Sequence, residues 1–285
     1  MEGYKTVDIS AWTKVGEGGN GSTYVNPEEP GILLKTSNHT LSDGTLEAVS
    51  KEFNTSKAIC DLGIPTPKMH EIVRVGEDYG IKSELIEGKK SLSKMSGENP
   101  EAIDSYAARM AGLAKQMHGT PATGCEWIPS MKALMLEALD KTEMIGGKTL
   151  KRVRSFVEGL EDAPTLLHGD FTFSNIIFAD DKPYWIDLGR ATHGLPMFDL
   201  GHFYLFCNIF AKKQRVQDIA HMTGEQMARF WNSFALAYNG PEGLEGFTAQ
   251  CRRFAGLDVL LLGFVQHLSF SERFFLGQLA KMLTK

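Results

Sequence analysis

Three residues in this chain have types and spacing suited to one kind of chemistry: Asp170, Asn175 five residues on, and Asp187 twelve residues after that. An aspartate can accept the proton of an attacking hydroxyl. An amide oxygen and a second carboxylate can hold Mg2+ against the phosphates of ATP. The spacing therefore points to phosphoryl transfer. Asp170 is the expected base or hydroxyl-orienting group, and Asn175 and Asp187 are the expected metal ligands, because Mg2+ takes hard oxygens and completes its octahedron with phosphate and water. A free aspartate has a pKa of about 3.9 and is a weak base at neutral pH. A loose transition state tolerates that, since it needs positioning more than early deprotonation. His168 and Gly169 precede Asp170, and the histidine is expected to shape the loop by packing and hydrogen bonding.

Bringing these groups together requires a loop that carries Asp170 and Asn175 and a short hairpin that returns Asp187. Ile176-Ile177-Phe178, the turn Asp180-Asp181-Lys182-Pro183 and the strand Tyr184-Trp185-Ile186 supply that hairpin. Upstream, the first third reads as strands. Val7–Ile9 and Thr13–Val15 precede the cluster Gly16-Glu17-Gly18-Gly19-Asn20-Gly21, and Ser22–Val25 reads as the returning strand. A dinucleotide-binding turn would be followed by a helix. A strand there instead predicts a hairpin whose Gly16, Gly18 and Gly21 let backbone N–H groups approach phosphates.

Asn26–Gly31 reads as a turn, and Ile32-Leu33-Leu34-Lys35 as an apolar strand ending in a lysine. Ser42-Asp43 is the expected cap of a helix from about 44 to 62, ended by Gly63 and Pro65. Glu47 and Glu52 on that helix compete as the partner of Lys35. Strands at about 69–75 and 79–85 follow, turning at Gly76-Glu77-Asp78. After Gly88 the pattern becomes helical. Asn99-Pro100-Glu101 starts a helix that runs to about His118, and further helices are expected at 129–144, 147–160, 197–212, 223–238 and 256–280. The implied organisation is α+β: a small β-rich N-lobe over 1–86 and a larger helical C-lobe over 87–285 holding the catalytic loop, metal site and acceptor pocket.

The 285 residues carry 35 acidic and 30 basic side chains, a net charge of −5, which gives no support for binding nucleic acid or an anionic membrane. Cys60, Cys125, Cys207 and Cys251 are scattered, without metal-ligand spacing, and read as reduced thiols. The N-terminus shows no apolar signal-peptide core, and the longest apolar run, Val259 to Val265, is too short to span a bilayer. A cytoplasmic protein is expected.

His168-Gly169-Asp170, Asn175 and Asp187-Leu188-Gly189 together resemble the catalytic loop and metal aspartate of kinases. In the His-Gly-Asp form they resemble the aminoglycoside phosphotransferase and choline kinase group of small-molecule kinases. The likeness extends to Gly194-Leu195-Pro196-Met197-Phe198-Asp199-Leu200-Gly201 and implies a protein-kinase-like two-lobe fold. It also implies that Lys35 reaches the nucleotide phosphates with Glu52 as its partner, that the backbone of Glu84 and Ile86 reads the adenine, and that Asp199 anchors the helical lobe or borders the acceptor pocket. Protein kinases differ in three respects: Leu188 stands for the usual phenylalanine, Gly169 for the usual arginine, and no Ala-Pro-Glu segment follows. ATP, Mg2+ and a small-molecule hydroxyl acceptor are the implied ligands, with His202, Tyr204, Asn208, Trp231 and Tyr238 as candidate pocket-lining residues. A non-catalytic nucleotide-binding module and a protein kinase are the alternatives.

Overall fold

A computed structural model describes residues 3–18, 21–37, 44–122, 124–265 and 268–285. In chain order the strands are β1 (Thr13–Gly18), β2 (Gly21–Val25), β3 (Ile32–Ser37), β4 (Met69–Val75), β5 (Asp78–Glu84), β6 (Lys90–Ser91), β7 (Leu166–Leu167), β8 (Ile176–Ala179), β9 (Lys182–Trp185) and β10 (Thr192–His193). The helices are α1 (Leu46–Asp61), α2 (Leu92–Glu98), α3 (Ile103–His118), α4 (Met131–Lys141), α5 (Gly147–Glu158), α6 (Met197–Tyr204), α7 (Gln214–Ala220), α8 (Gly224–Asn239), α9 (Leu244–Val265) and α10 (Phe270–Leu283). The chain packs as two units. One comprises Met1–Lys90 with Ile177–Arg190, and the other Ser91–Ile176 with Ala191–Lys285. The hairpin leading to Asp187 thus packs with the N-terminal residues, whereas a simple division at residue 86 leaves it with the helices.

The first unit is built on an antiparallel sheet of order β1-β2-β3-β5-β4. Leu34, Trp12 and Val73 form its small core, with Val7, Ile9, Tyr24, Ile32 and Val75 around them. The only helix described in this unit, α1, starts at Thr45, whose hydroxyl accepts from Ala48 N. Ser42 and Asp43, the expected cap, lie outside the described residues. The helix ends in a glycine-closed turn: Gly63 has φ +85°, its N–H donates to Cys60 O, and Ile64 N–H reaches back to Ile59 O. The expected strand at Val7–Ile9 is absent. Asp8 instead accepts from Ser10 N at 3.0 Å and caps a 3-10 turn over Ile9–Ala11, because a short acidic side chain competes with ladder pairing for the local backbone.

In the second unit, aromatic rings set the position of the loop that carries Asp170. Phe171 and Phe173 flank Thr172, and both are fully buried. Their rings pack against Phe203 of α6 and against Phe234 and Phe230 of α8, with centroids 5.0–6.0 Å apart. A second apolar core joins α4, α5, α9 and α10.

Three helix boundaries differ from the sequence expectation. First, residues 92–98 and 214–220 form short helices where none was expected. Second, the stretch expected as one helix over 197–212 leaves α-geometry after Tyr204 for a π-turn over Leu205–Ile209. There the Asn208 amide donates to Tyr204 O, the carbonyl that its own N–H would take in an α-helix. Third, the helix expected over 256–280 is two helices: α9 already begins at Leu244, and α10 begins anew after its cap at Ser269. The Ser269 hydroxyl accepts from Glu272 N, and Glu272 accepts in return from Ser269 N. Among the described residues no helix is long and apolar enough to cross a membrane.

Gly201 lies where α6 crosses α9. A Cβ there would lie 2.6 Å from Phe254 Cβ and 2.7 Å from Ala255 N. Gly201→Ala is therefore expected to destabilise the fold by about 2 kcal/mol through overpacking, read as a lower urea midpoint with an unchanged slope.

Candidate active site

Two clusters of polar side chains hold the residues singled out in the sequence, one in each unit. In the first unit Lys35 projects from β3, an interior strand of the sheet. Its ammonium lies 2.7 Å from Glu52 Oε1 and 2.8 Å from Asp187 Oδ1. Partial burial pulls its pKa down, but the charges and hydrogen bonds of Asp187 and Glu52 outweigh this and hold it above the ordinary lysine value. Of the two competing acids, Glu52 is therefore the partner. Glu47 sits in the first turn of α1, where an acid favours the helix dipole.

Asp187 has φ 57°, a left-handed conformation that aspartate tolerates better than most residues. The hairpin delivering it turns on Asp180 and Asp181, both also left-handed, as a two-residue type I′ turn requires. Gly189 has no positive φ. It is small because Glu52 packs over it, with Cγ 3.2 Å from where a Cβ would stand.

The glycine hairpin forms as β1 and β2, with Gly18 opposite Gly21. Gly16 sits beside a register shift, and a Cβ on it would meet Thr23 Oγ1 at 2.6 Å. A Cβ on Gly21 would run into the backbone carbonyl of Thr36 on β3. Sheet packing thus requires both glycines in its own right. Gly19 and Asn20 lie outside the described residues. Glu84 ends β5 and is tied to Lys68 twice: its N–H donates to Lys68 O, and its carboxylate accepts from Lys68 N. The N–H of Leu85 goes to Gly31 O, and Ile86 is buried.

In the second unit the loop after β7 is held by Asp199. This buried carboxylate accepts from His168 N at 2.7 Å and Gly169 N at 2.9 Å. His118 Nε2 approaches the same carboxylate at 3.2 Å, and His118 Nδ1 is 2.9 Å from the Tyr238 hydroxyl. A carboxylate accepts only, which places the ring proton on Nε2 and lets the phenol donate to Nδ1. Burial pushes the Asp199 pKa up, yet the hydrogen bond from His118, together with the His168 contacts, brings it below the ordinary aspartate value. Burial also raises the Tyr238 pKa, with the Asp199 charge adding to the shift.

Gly169, at φ +78°, then turns the chain so that Asp170 N reaches back to His168 Nδ1 at 3.3 Å. Asn175 Nδ2 donates to Asp170 O at 2.8 Å and to Asp170 Oδ2 at 3.0 Å. Its amide is thereby oriented.

Sequence reasoning missed the other side of Asp170. His202 Nε2 lies 3.2 Å from Asp170 Oδ1, and His202 Nδ1 lies 2.9 Å from Asp258 Oδ2. These residues are 32 and 56 positions apart, on the loop after β7, on α6 and on α9, and no local motif links them. Of the other candidate pocket residues, Trp231 is core, Tyr238 is bound to His118 and Asn208 to Tyr204. Among the described residues no group of three or more His, Cys, Asp or Glu side chains forms a metal cage. A Mg2+ ion held largely by phosphates and water needs no such cage.

A profile of the phosphotransferase enzyme family matches residues 24–231, most of the chain. The chain belongs to the phosphotransferase enzyme family. The match runs from β2 into α8 and so includes every residue of the Lys35 cluster as well as Asp170, Asn175, Asp199 and His202. No curated protein sequence matches the chain.

Solved structures share its protein-kinase-like α+β fold. A choline/ethanolamine kinase family protein from Mesorhizobium loti is 14% identical, with 96% of this chain and 88% of that one covered and a TM-score of 0.59. A thermostable mutant of aminoglycoside phosphotransferase APH(4)-Ia, in ternary complex with ADP and hygromycin B, is 14% identical, with 96% and 93% covered and a TM-score of 0.59. ADP-bound aminoglycoside phosphotransferase APH(2'')-Ib is 13% identical, with 96% and 94% covered and a TM-score of 0.57.

Asp199→Asn is expected to cost about 3 kcal/mol of stability, because an amide cannot accept from every donor that Asp199 now satisfies. The folded pKa lies below the ordinary aspartate value. The carboxylate's contribution is therefore complete above the unfolded pKa and lost as pH falls through the folded one. Urea melts of both proteins should show a gap at neutral pH that closes in acid.

Proposed function

We propose that this chain transfers the γ-phosphate of ATP to a hydroxyl of a small molecule, an aminoglycoside-like compound or another polar metabolite. The observation that carries this reading is the clasp on Lys35. An ammonium gripped by carboxylates 17 and 152 residues away is oriented for an anion rather than left to solvent. In this reading Lys35 meets the α- and β-phosphates, with Glu52 holding it in place. The backbone of the Gly16–Gly21 hairpin covers the phosphates, and the backbone of Glu84 and Ile86 reads the adenine.

Asp170 orients the acceptor hydroxyl and takes its proton as the new O–P bond forms. The bond from the γ-phosphorus to the β,γ-bridging oxygen breaks, and ADP leaves with that oxygen. Asn175 Oδ1 and Asp187 would hold Mg2+, which neutralises charge on the phosphates. The adenine nucleotides bound to relatives of the same fold support ATP as donor, and the hygromycin B bound to one of them supports a hydroxylated small-molecule acceptor. A cytoplasmic location, where ATP and Mg2+ are plentiful, accords with this reading.

A screen of hydroxyl compounds, including aminoglycosides, choline and sugars, coupled to ADP release, tests the proposal. Asp170→Ala should lower turnover by at least about 100-fold while its thermal midpoint stays that of the parent. Turnover retained in that variant would remove Asp170 from its role. Lys35→Met should abolish the stabilisation that ATP with Mg2+ gives the parent in a thermal melt. A parent melt indifferent to ATP and Mg2+ would sink the nucleotide reading.

A further inference from the structure

We propose that His202 and Asp258 form a positioning pair that fixes the carboxylate of Asp170 through Oδ1, as Asn175 does through Oδ2. The proposal rests on the reading of Asp170 as the hydroxyl-orienting group. A carboxylate on a short side chain turns easily about its last bond, since that torsion is broad. A donor on each oxygen removes the freedom. Asn175 supplies one donor at 3.0 Å and His202 the other at 3.2 Å.

The second contact gives the histidine its character. Asp258 from α9 faces Nδ1 and Asp170 from the loop after β7 faces Nε2, and both carboxylates only accept. A neutral imidazole has one N–H and would present a lone pair to one of them. The doubly protonated ring satisfies both.

The environment favours that form. The His202 side chain is 14% exposed and that of Asp258 10%. Burial alone would lower the ring's pKa, but the Asp258 charge and the hydrogen bonds to both carboxylates raise it to about 10. The helix crossing is part of the same device. Gly201, the residue before His202, lets α6 approach the α9 backbone at Phe254–Ala255, and Asp258 follows within one turn of α9. His202 transfers no proton in this scheme. It holds the Asp170 carboxylate in one orientation, ready to receive the acceptor's proton.

Two near-isosteric variants separate positioning from mere packing. The amide nitrogen of a glutamine overlays imidazole Nε2 and can donate to Asp170. That of an asparagine overlays Nδ1 and can donate only to Asp258. With ATP, Mg2+ and water as the acceptor, His202→Asn should lower kcat for ADP release about 100-fold with KM for ATP within about twofold, and His202→Gln should restore about tenfold of that loss. Equal kcat in His202→Asn and the parent would overturn the proposal, as would equal losses in the two variants. Thermal melts report whether either variant has lost its fold. Independently of both variants, 15N NMR of the unmodified chain at about pH 8 should show both His202 ring nitrogens protonated, and a neutral ring there overturns the proposal. If Asp170→Ala kills ADP release and His202→Asn does not, the positioning role alone fails. If Asp170→Ala keeps its activity, the reading of Asp170 fails first.

Discussion

The carboxylate of Asp199 has almost no access to water, at 1% exposure, and a charge in that position must be surrounded by donors. Two of its donors are consecutive backbone amides, those of His168 and Gly169. This fixes the loop's direction at the point where it leaves β7. Much else in the second unit follows from that direction. Gly169 can then turn at positive φ, Asp170 can reach back to His168, and Phe171 and Phe173 enter the aromatic core on either side of Thr172. The third donor, His118, draws α3 and, through Tyr238, α8 into the same network.

The first unit meets a similar demand with the signs reversed. There a cation, Lys35, is surrounded by acids, and the acids come from a helix and from the end of a hairpin. Each unit thus uses one well-paired charge to fix a backbone segment that bears a reactive group. The paired charge is distinct from the group it positions in the second unit. In the first unit Lys35 is itself proposed to contact phosphate, so nucleotide binding and local order draw on the same side chain.

The sheet was largely legible because alternation and turn residues are local signals. Strands β2 to β5 fall within about two residues of the expected limits, and β1 runs on from Val15 to Gly18. The glycine hairpin, Lys35 and the Asp187 hairpin follow from the same signals. The second unit was harder to read. Helices α2 and α7 have seven residues each, too few to show a helical period clearly. The break before α10 was readable from Ser269 and Glu272, a Ser-x-x-Glu pair. The pairing of His202 with Asp258 was not, because it depends on how α6 and α9 cross, and that is set by the absence of a side chain at Gly201.

Asp187 combines two demands at one position. Its backbone is left-handed at φ 57°, a region that glycine, asparagine and aspartate enter with least cost. Its carboxylate answers the ammonium of Lys35. Of those three residues only aspartate carries a charge. Asparagine is one nucleotide away in the genetic code and would keep the same backbone. That single base change would leave the backbone in place but take from Lys35 one of the two carboxylates that pair it. Local order and chemistry therefore both act to keep the aspartate at this position.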